Sequence, residues 1–317
     1  MADTSDNSRD NPRDNPCENR RENRREDIRF DADGTELAGW LYRPAGQRPW
    51  PTVVMAHGFS AVKELYLDAY AQAFAAAGLA VLVFDHRNFG ASEGTPRQEA
   101  DPVAQVRDYR HAITYAQTLE DVDSKRIGVW GSSYSGGHAL MVAAIDRRVR
   151  CVVAQVPAIS GPRSVARLIR SDLMPEVRAM LDADRAGRAR GEAPMMIPVV
   201  SEDPAAMAAL PGSDAAAWFL GNAERAPAWR NEVTLRSVEM LAEYEPGSWI
   251  ERISPTPMLM LVASHDTLAH THLTLEAFGR ALEPKRLELL EGGHFCAYGA
   301  DFDRSSDAAR TFFATHL

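Results

Sequence analysis

The 317-residue chain has few cysteines and no long apolar run. Its three cysteines, Cys17, Cys151 and Cys296, are widely spaced and form no C-x-x-C pair, which argues against a disulfide framework or a zinc–thiolate site. No run approaches the ~18 apolar residues that a bilayer span needs, and the first residues lack the apolar core of a secretory signal. We therefore expect a cytoplasmic protein that does not enter a membrane.

The chain also lacks an excess of positive charge. Its 35 Lys and Arg residues against 44 Asp and Glu residues give a formal net charge of −9. A general nucleic-acid binder needs a basic face to meet phosphates, so we expect no nucleic-acid partner. Phosphate-binding loops and flavin or nicotinamide fingerprints are absent from the sequence. We therefore expect no cofactor.

The composition and hydrophobic patterns divide the chain into three regions. The first 26 residues contain almost no large apolar side chain, so we expect a disordered tail over 1–26. Short apolar runs alternate with helical patterns over 27–157 and 250–317, and this pattern predicts an α/β core with a mostly parallel, doubly wound sheet. The intervening segment 158–249 has no strand-like run. We expect it to form a helical cap over the carboxyl edge of the sheet, where open α/β sheets bind ligands.

A serine-rich turn offers a candidate nucleophile. Residues 131–137 read Gly-Ser-Ser-Tyr-Ser-Gly-Gly and stand between a predicted strand and a predicted helix. A nucleophilic serine on such a sharp turn needs small residues two before and two to three after it. Ser133 meets this requirement and is our preferred nucleophile. Ser135 has similar spacing and stays a rival, whereas Ser132 would place Trp130 at a crowded position.

A base and an acid follow in the order expected for a serine nucleophile. His294 lies in Glu-Gly-Gly-His-Phe after the last predicted strand, and Asp266 is the only acid close to the end of the preceding strand. The histidine would take the serine proton, and the carboxylate would hold its tautomer. A metal site formed by His265, His270 and His272 is a weaker alternative. These residues are loosely spaced and provide no matched tetrahedral set, so we expect no metal.

The same chemistry needs two N–H donors for the oxyanion. We predict the backbone amides of Tyr134, directly after the nucleophile, and of Phe59, in the His-Gly-Phe-Ser segment after the third strand. Within the predicted cap, Met174, Trp218 and Phe219 are candidates to line an apolar substrate pocket, since methionine adapts to irregular shapes. The alternative for these three residues is that they form the packing core of the cap itself.

Three motifs resemble the α/β-hydrolase superfamily. Residues 131–136 resemble the Gly-x-Ser-Tyr-x-Gly turn of S15-type members, which include X-prolyl peptidases and cocaine-esterase-like proteins. His57-Gly58 resembles the oxyanion-loop motif, and residues 85–94 resemble the Asp-x-Arg-Gly-x-Gly-x-Ser segment after strand four. The run over 95–110 is similar to dienelactone-hydrolase-like proteins, including fungal polyketide acyltransferases. S15 members often supply an oxyanion donor from a tyrosine side chain in the loop where this chain has Phe59.

Together these features predict an α/β-hydrolase-fold serine esterase that cleaves carboxylic esters through an acyl-enzyme. Its predicted partner is a small-molecule ester or acyl substrate. An acyltransferase that moves a polyketide-like acyl group to an alcohol or thiol is the alternative, because the acyl-enzyme step is the same. A peptidase ranks lower, since we locate no acidic pair to bind a substrate amine. A non-catalytic ligand receptor also ranks lower, since no triad member is missing. A homodimer is compatible with the sequence.

Overall fold

The computed structural model describes residues 24–203 and 205–317. Most of the predicted tail, residues 1–23, lies outside this range. Its last three residues belong to the first strand, β1 (Arg24–Ala32), so the strand begins before Ile28, where the apolar pattern placed it. β1 is an edge strand of the sheet and pairs with β2 (Thr35–Arg43) along its whole length. Backbone pairing therefore extends the strand into a charged stretch that has no apolar signal.

Besides β1 and β2, the described residues form β3 (Trp50–Ala56), β4 (Ala80–Phe84), β5 (Val122–Ser132), β6 (Val149–Gln155), β7 (Met196–Ile197), β8 (Val233–Thr234), β9 (Met258–Ala263) and β10 (Lys285–Leu290). Eight of these strands form one mostly parallel sheet in the order β1-β2-β4-β3-β5-β6-β9-β10. Within this sheet β2 runs antiparallel to both of its neighbours, β1 and β4. This arrangement confirms the predicted doubly wound α/β sheet.

Helices cover both faces of the sheet. Successive strand residues point to opposite faces, so in β4 Leu82 and Phe84 join one buried cluster while Val81 and Val83 join the other. The helices that pack on the sheet are α1 (Leu67–Ala76), α2 (Pro102–Thr118), α3 (Tyr134–Ile145), α8 (Thr271–Arg280) and α9 (Phe302–His316). The first cluster includes side chains from α2, α3 and α8, and the second includes side chains from α1 and α9.

The segment between β6 and β9, which we call the insertion (residues 158–249), contains four further α-helices in its described residues. The prediction that it holds no strand is wrong, because β7 and β8 pair antiparallel within it. These strands have two residues each and are far apart in the chain, so their pairing is set by tertiary packing rather than by a local pattern. The helices are α4 (Gly161–Leu168), α5 (Met174–Ala189), α6 (Ser213–Gly221) and α7 (Leu235–Glu243).

The insertion packs against the core through a third buried cluster. Phe219 and Trp229 of the insertion share this cluster with Phe59 and Tyr134 of the core. Both core residues are neighbours of the predicted reaction centre, so the insertion lies at the site. In the part of the chain that the structure describes, no helix combines the length and the apolar character needed to cross a membrane.

Candidate active site

Ser133 occupies a strained turn between β5 and α3. Its backbone lies at φ 58° and ψ −119°, a region that residues with a side chain rarely adopt. The turn is held by hydrogen bonds from Ser133 N to the Gln155 carbonyl (2.8 Å) and from Ala158 N to the Ser133 carbonyl (2.9 Å). A Cβ atom at Gly131 would lie 2.0 Å from the Ser135 carbonyl oxygen. Glycine is therefore required two residues before Ser133.

A continuous chain of hydrogen bonds joins Ser133, His294 and Asp266. The Ser133 Oγ lies 2.9 Å from His294 Nε2, and His294 Nδ1 lies 2.7 Å from Asp266 Oδ2. Because a carboxylate only accepts, Nδ1–H donates to Asp266, which leaves Nε2 free to accept the serine hydroxyl proton. The other carboxylate oxygen, Oδ1, accepts from the amides of Leu268 (2.9 Å) and Ala269 (2.8 Å). This arrangement orients His294 as a base toward Ser133.

Parallel strand ends bring the acid and the base together. Asp266 follows β9, His294 follows β10, and these two strands are adjacent and parallel. Burial raises the pKa of Asp266, but the attraction and hydrogen bond of His294 and the amides of Ala269 and Leu268 outweigh it. The net pKa of the Asp266 carboxyl lies below its usual value. Asp266 therefore stays ionised at neutral pH and fixes the His294 tautomer.

The hydroxyls of the other two serines of the turn, Ser132 and Ser135, form hydrogen bonds with buried groups. The Ser135 hydroxyl donates to the His57 carbonyl (2.5 Å) and lies 2.9 Å from His86 Nε2. The Ser132 hydroxyl accepts from the Tyr298 phenol at 2.5 Å. Both serine side chains are fully buried. The sequence spacing left both Ser133 and Ser135 as candidate nucleophiles. The tertiary contacts favour Ser133, since the hydroxyls of Ser132 and Ser135 do not face the predicted base.

His57, the histidine of the loop that carries Phe59, has no free ring nitrogen with which to act as a second base. His57 Nδ1 lies 2.9 Å from the Gly58 carbonyl, and its Nε2 accepts from the His86 amide at 3.1 Å. Burial lowers the pKa of His57 and lowers that of His86 strongly, so both rings are neutral. Among residues 24–203 and 205–317, no group of three His, Cys, Asp or Glu side chains is placed to hold a metal ion.

The two predicted oxyanion donors border the same cleft as Ser133 and His294. Tyr134 is the first residue of α3, so its amide has no acceptor within the helix. Phe59 lies in a turn that is closed by the Ala61 amide and the Gly58 carbonyl (3.3 Å). A Cβ atom at Gly58 would lie only 3.1 Å from Ser133 Cβ. The glycine thus lets this loop approach the serine closely.

The cleft is a mainly apolar space of about 810 Å³, including its open mouth. Trp218 and Phe219 of the insertion line it, and Trp218 stacks on Phe295 with ring centroids 4.7 Å apart. Phe295 also lines the cleft, and its position directly after His294 in the sequence is the signal that points to it. Other lining residues had no local signal because they come from several separate elements; they include Leu65, Leu210, Leu241, Leu268 and Tyr298.

Met174, predicted to line the pocket, does not do so. It is the first residue of α5 and is only half-buried. The buried residues of α5 are Asp184 and Gly187, so this helix lies at the outside of the insertion. The error has a physical reason: an apolar residue type indicates a tendency toward burial but does not say which surface it will contact.

Comparison with known proteins identifies the family. The family model described as X-Pro dipeptidyl-peptidase (S15 family) matches residues 33–296. The chain belongs to the S15 family. Thiohydrolase aneE of Aspergillus aculeatus is 34% identical over 295 residues, which is 88% of this chain and 89% of that protein. Quorum-quenching protein AidA of Acinetobacter baumannii is 34% identical over 279 residues, covering 87% of this chain and 90% of that protein.

A solved relative supports the same assignment for this S15 member. Polyketide transferase grgF of Penicillium sp. is 31% identical over 289 residues, which is 90% of this chain and 94% of that protein. The crystal structure of the α/β hydrolase GrgF from Penicillium sp. sh18 superposes with a TM-score of 0.79, covering 93% of this chain and 99% of that chain at 30% identity. The S15 member is therefore an enzyme with the α/β-hydrolase fold, as the motifs predicted.

Proposed function

We propose that this S15 member is a serine acyl hydrolase that cleaves carboxylic esters or thioesters through an acyl-enzyme on Ser133. The observation that carries the proposal is the hydrogen-bond chain from Ser133 through His294 to Asp266, which opens on an apolar cleft. A weak nucleophile such as a hydroxyl needs this kind of adjacent, oriented base. The thioester is included because the relative aneE is named a thiohydrolase.

In the first half of the reaction, Ser133 Oγ forms a bond to the acyl carbon while His294 Nε2 takes the hydroxyl proton. Asp266 stabilises the resulting imidazolium through Nδ1. The carbonyl oxygen becomes an oxyanion, which the amides of Phe59 and Tyr134 stabilise by hydrogen bonds. The tetrahedral intermediate then expels the alcohol or thiol, which receives the proton from His294.

In the second half, water attacks the acyl-enzyme and gives a proton to His294. The ester bond to Ser133 breaks, the serine recovers its proton, and the free acid leaves. The oxyanion donors and Asp266 act as in the first half. We propose that the insertion is the cap that decides which molecules reach the acyl-enzyme, because Trp218 and Phe219 form part of the cleft wall.

The cleft favours ester and thioester cleavage over dipeptide release. An aminopeptidase-type site needs a negative group to bind the charged amine of its substrate. Among the described residues that line the cleft, there is no Asp or Glu. A charged amine would therefore lose its hydration there without a compensating partner.

Acyl transfer is the second candidate function, supported by the relative named polyketide transferase grgF. The first half-reaction would be identical, and an alcohol or thiol would replace water in the second. Product analysis decides between the two functions. With a p-nitrophenyl ester and an added alcohol or thiol, hydrolysis gives only the free acid, whereas transfer gives a new ester or thioester.

Turnover of p-nitrophenyl butyrate and of a butyryl thioester by Ser133→Ala tests the proposal. We expect a loss of about three orders of magnitude or more, because the acyl-enzyme can no longer form. A fluorophosphonate probe should label Ser133 in the wild type, and it should still label the folded Ser135→Ala variant at Ser133. Near-wild-type turnover by Ser133→Ala, or no labelling of Ser133, would overturn the proposal.

A further inference from the structure

The amide of Phe59 is oriented through a short series of backbone hydrogen bonds. In a trans peptide the N–H and the C=O point in opposite directions, so the partners of the Gly58 carbonyl fix the direction of the Phe59 N–H. That carbonyl accepts from the Ala61 amide (3.3 Å) and faces His57 Nδ1 (2.9 Å). Ser60, which lies in the turn between Gly58 and Ala61, has φ 51°. This strained backbone conformation needs support from its surroundings.

The insertion supplies one of these supports. Trp229 Nε1 donates to the Ser60 carbonyl at 3.0 Å. The Ser60 carbonyl and the Ala61 amide belong to one peptide unit, so this unit is held at both ends: by Trp229 at its oxygen and by Gly58 at its N–H. The Ser60–Ala61 peptide unit is thus hydrogen-bonded to the Gly58–Phe59 peptide unit, and these two units connect the indole of Trp229 with the amide of Phe59.

Trp229 is itself held rigidly. Only 8% of its surface is exposed, and its ring stacks on Phe219 with centroids 5.3 Å apart and an interplanar angle of 22°. Phe219 lines the cleft. Trp229 is not among the cleft-lining residues, so it has no direct route to the substrate and can act only through the loop and through Phe219.

We propose that Trp229 is a positioning residue for the oxyanion site: its hydrogen bond to Ser60 holds the turn that aims the Phe59 amide. This inference rests on the proposed function. It gives the insertion a role in stabilising the transition state, beyond forming a wall of the substrate cleft. Loss of the Trp229 hydrogen bond would leave a second attachment of this loop intact, because the Lys63 amide and ammonium both bind Asp85.

Trp229→Phe removes the N–H and retains an aromatic ring against Phe219. We expect kcat to fall roughly three- to tenfold, the loss expected for one neutral hydrogen bond, with KM changed less than twofold. The matched control is Trp50→Phe. Trp50 is buried, and its indole nitrogen has no hydrogen-bond partner among the described residues. We expect this control to leave kcat unchanged.

A transition-state mimic separates positioning from packing. Butylboronic acid should form a tetrahedral adduct with Ser133 whose oxygen occupies the oxyanion site. We expect its inhibition constant to rise in Trp229→Phe by about the factor by which kcat falls, while Trp50→Phe binds it as the wild type does. Phe219→Leu keeps the Trp229 N–H but alters the cleft wall, so it should change KM more than kcat.

Wild-type kcat and wild-type boronate affinity in folded Trp229→Phe would overturn the inference. A loss of thermal stability with unchanged kcat would also overturn it, since the role would then be packing alone. If Trp229→Phe does not fold, benzothienylalanine at position 229 retains the ring size without the N–H and gives the same test. Failure of the proposed function is distinguishable, because Ser133→Ala would then retain turnover in an otherwise wild-type chain.

Discussion

Asp85 and Lys63 form a buried ion pair beside the loop that carries Phe59. Asp85 Oδ2 lies 2.6 Å from Lys63 Nζ and accepts from the Ala91 amide at 3.0 Å, while Oδ1 accepts from the Lys63 amide at 2.8 Å. Burial alone would lower the pKa of Lys63, but the attraction and hydrogen bond of Asp85 raise it above its ordinary value. We predict that Asp85→Asn destabilises the protein strongly.

The magnitude follows from what the substitution leaves behind. In Asp85→Asn the Lys63 ammonium stays buried, with its nitrogen 4.9 Å from the Trp40 ring centroid and 3.0 Å from Glu64 Oε1. Removing one partner of a buried pair costs about 3–5 kcal/mol of unfolding free energy. The remaining Glu64 contact offsets part of the loss, so we expect a value of about 3 kcal/mol.

Urea unfolding at pH 7 measures this effect. Lys63→Met should cost a similar amount, because it leaves the Asp85 carboxylate buried. The double variant should be markedly more stable than the sum of the two single losses, since no unpaired charge remains. As a control, Arg29→Gln breaks the exposed pair of Arg29 with Glu36 and should cost less than about 1 kcal/mol.

The pH dependence gives a further check on the same pair. Because the pKa of Lys63 is higher in the folded than in the unfolded protein, its contribution is complete below the unfolded value of about 10.4 and is lost as the pH rises through the folded value. The difference in unfolding free energy between wild type and Lys63→Met should therefore persist at neutral pH. A cost below about 1 kcal/mol for Asp85→Asn would refute the reasoning.

Four other outcomes are expected. Asp266→Asn should lower kcat roughly 10²–10⁴-fold in steady-state ester hydrolysis, because an amide can donate to His294 Nδ1 and favour the wrong tautomer; unchanged kcat would contradict the proposed role. The depressed pKa of Asp266 stabilises the fold above the unfolded pKa of about 3.9 and ceases to do so as the pH falls through the folded value, so wild type and Asp266→Asn should converge in unfolding free energy at acid pH. Gly131→Ala should cost at least about 1–3 kcal/mol in urea unfolding, since its Cβ would meet the Ser135 carbonyl at 2.0 Å. Trp218→Ala should raise KM for long or aromatic acyl groups about tenfold relative to acetyl esters, because it removes the ring that stacks on Phe295; an equal change across an ester panel would argue against contact with substrate.

Several features could be predicted because they depend on short-range sterics and on strand direction. The small residues around Ser133 are required by a turn only a few residues long, and the structure shows how little space Gly131 has. Asp266 and His294 were found because each follows a strand, and adjacent parallel strands such as β9 and β10 end at the same edge. The apolar runs predicted the buried strands because helices cover both faces of the sheet, so that nearly every residue of a central strand is apolar.

Other features could not be predicted because their partners are distant in the chain. The pairing of β7 with β8 joins residues on either side of α6, and the outward position of Met174 depends on how the whole insertion packs. The start of β1 at Arg24 depends on pairing with Arg43 rather than on its own charged sequence. None of these contacts leaves a periodic signal within a local window.

The sequence by itself determined the kind of candidate site: a serine on a glycine-flanked turn, followed in order by an acid and a histidine at strand ends. Only the tertiary structure decided which hydroxyl lies beside the histidine, because Ser135 is hydrogen-bonded to the His57 carbonyl and to the ring of His86. It also decided the shape of the cleft and the contact of Trp229 with Ser60. The physical reason is that a local turn fixes a backbone conformation, whereas the partner of a polar group is fixed only when distant segments pack together.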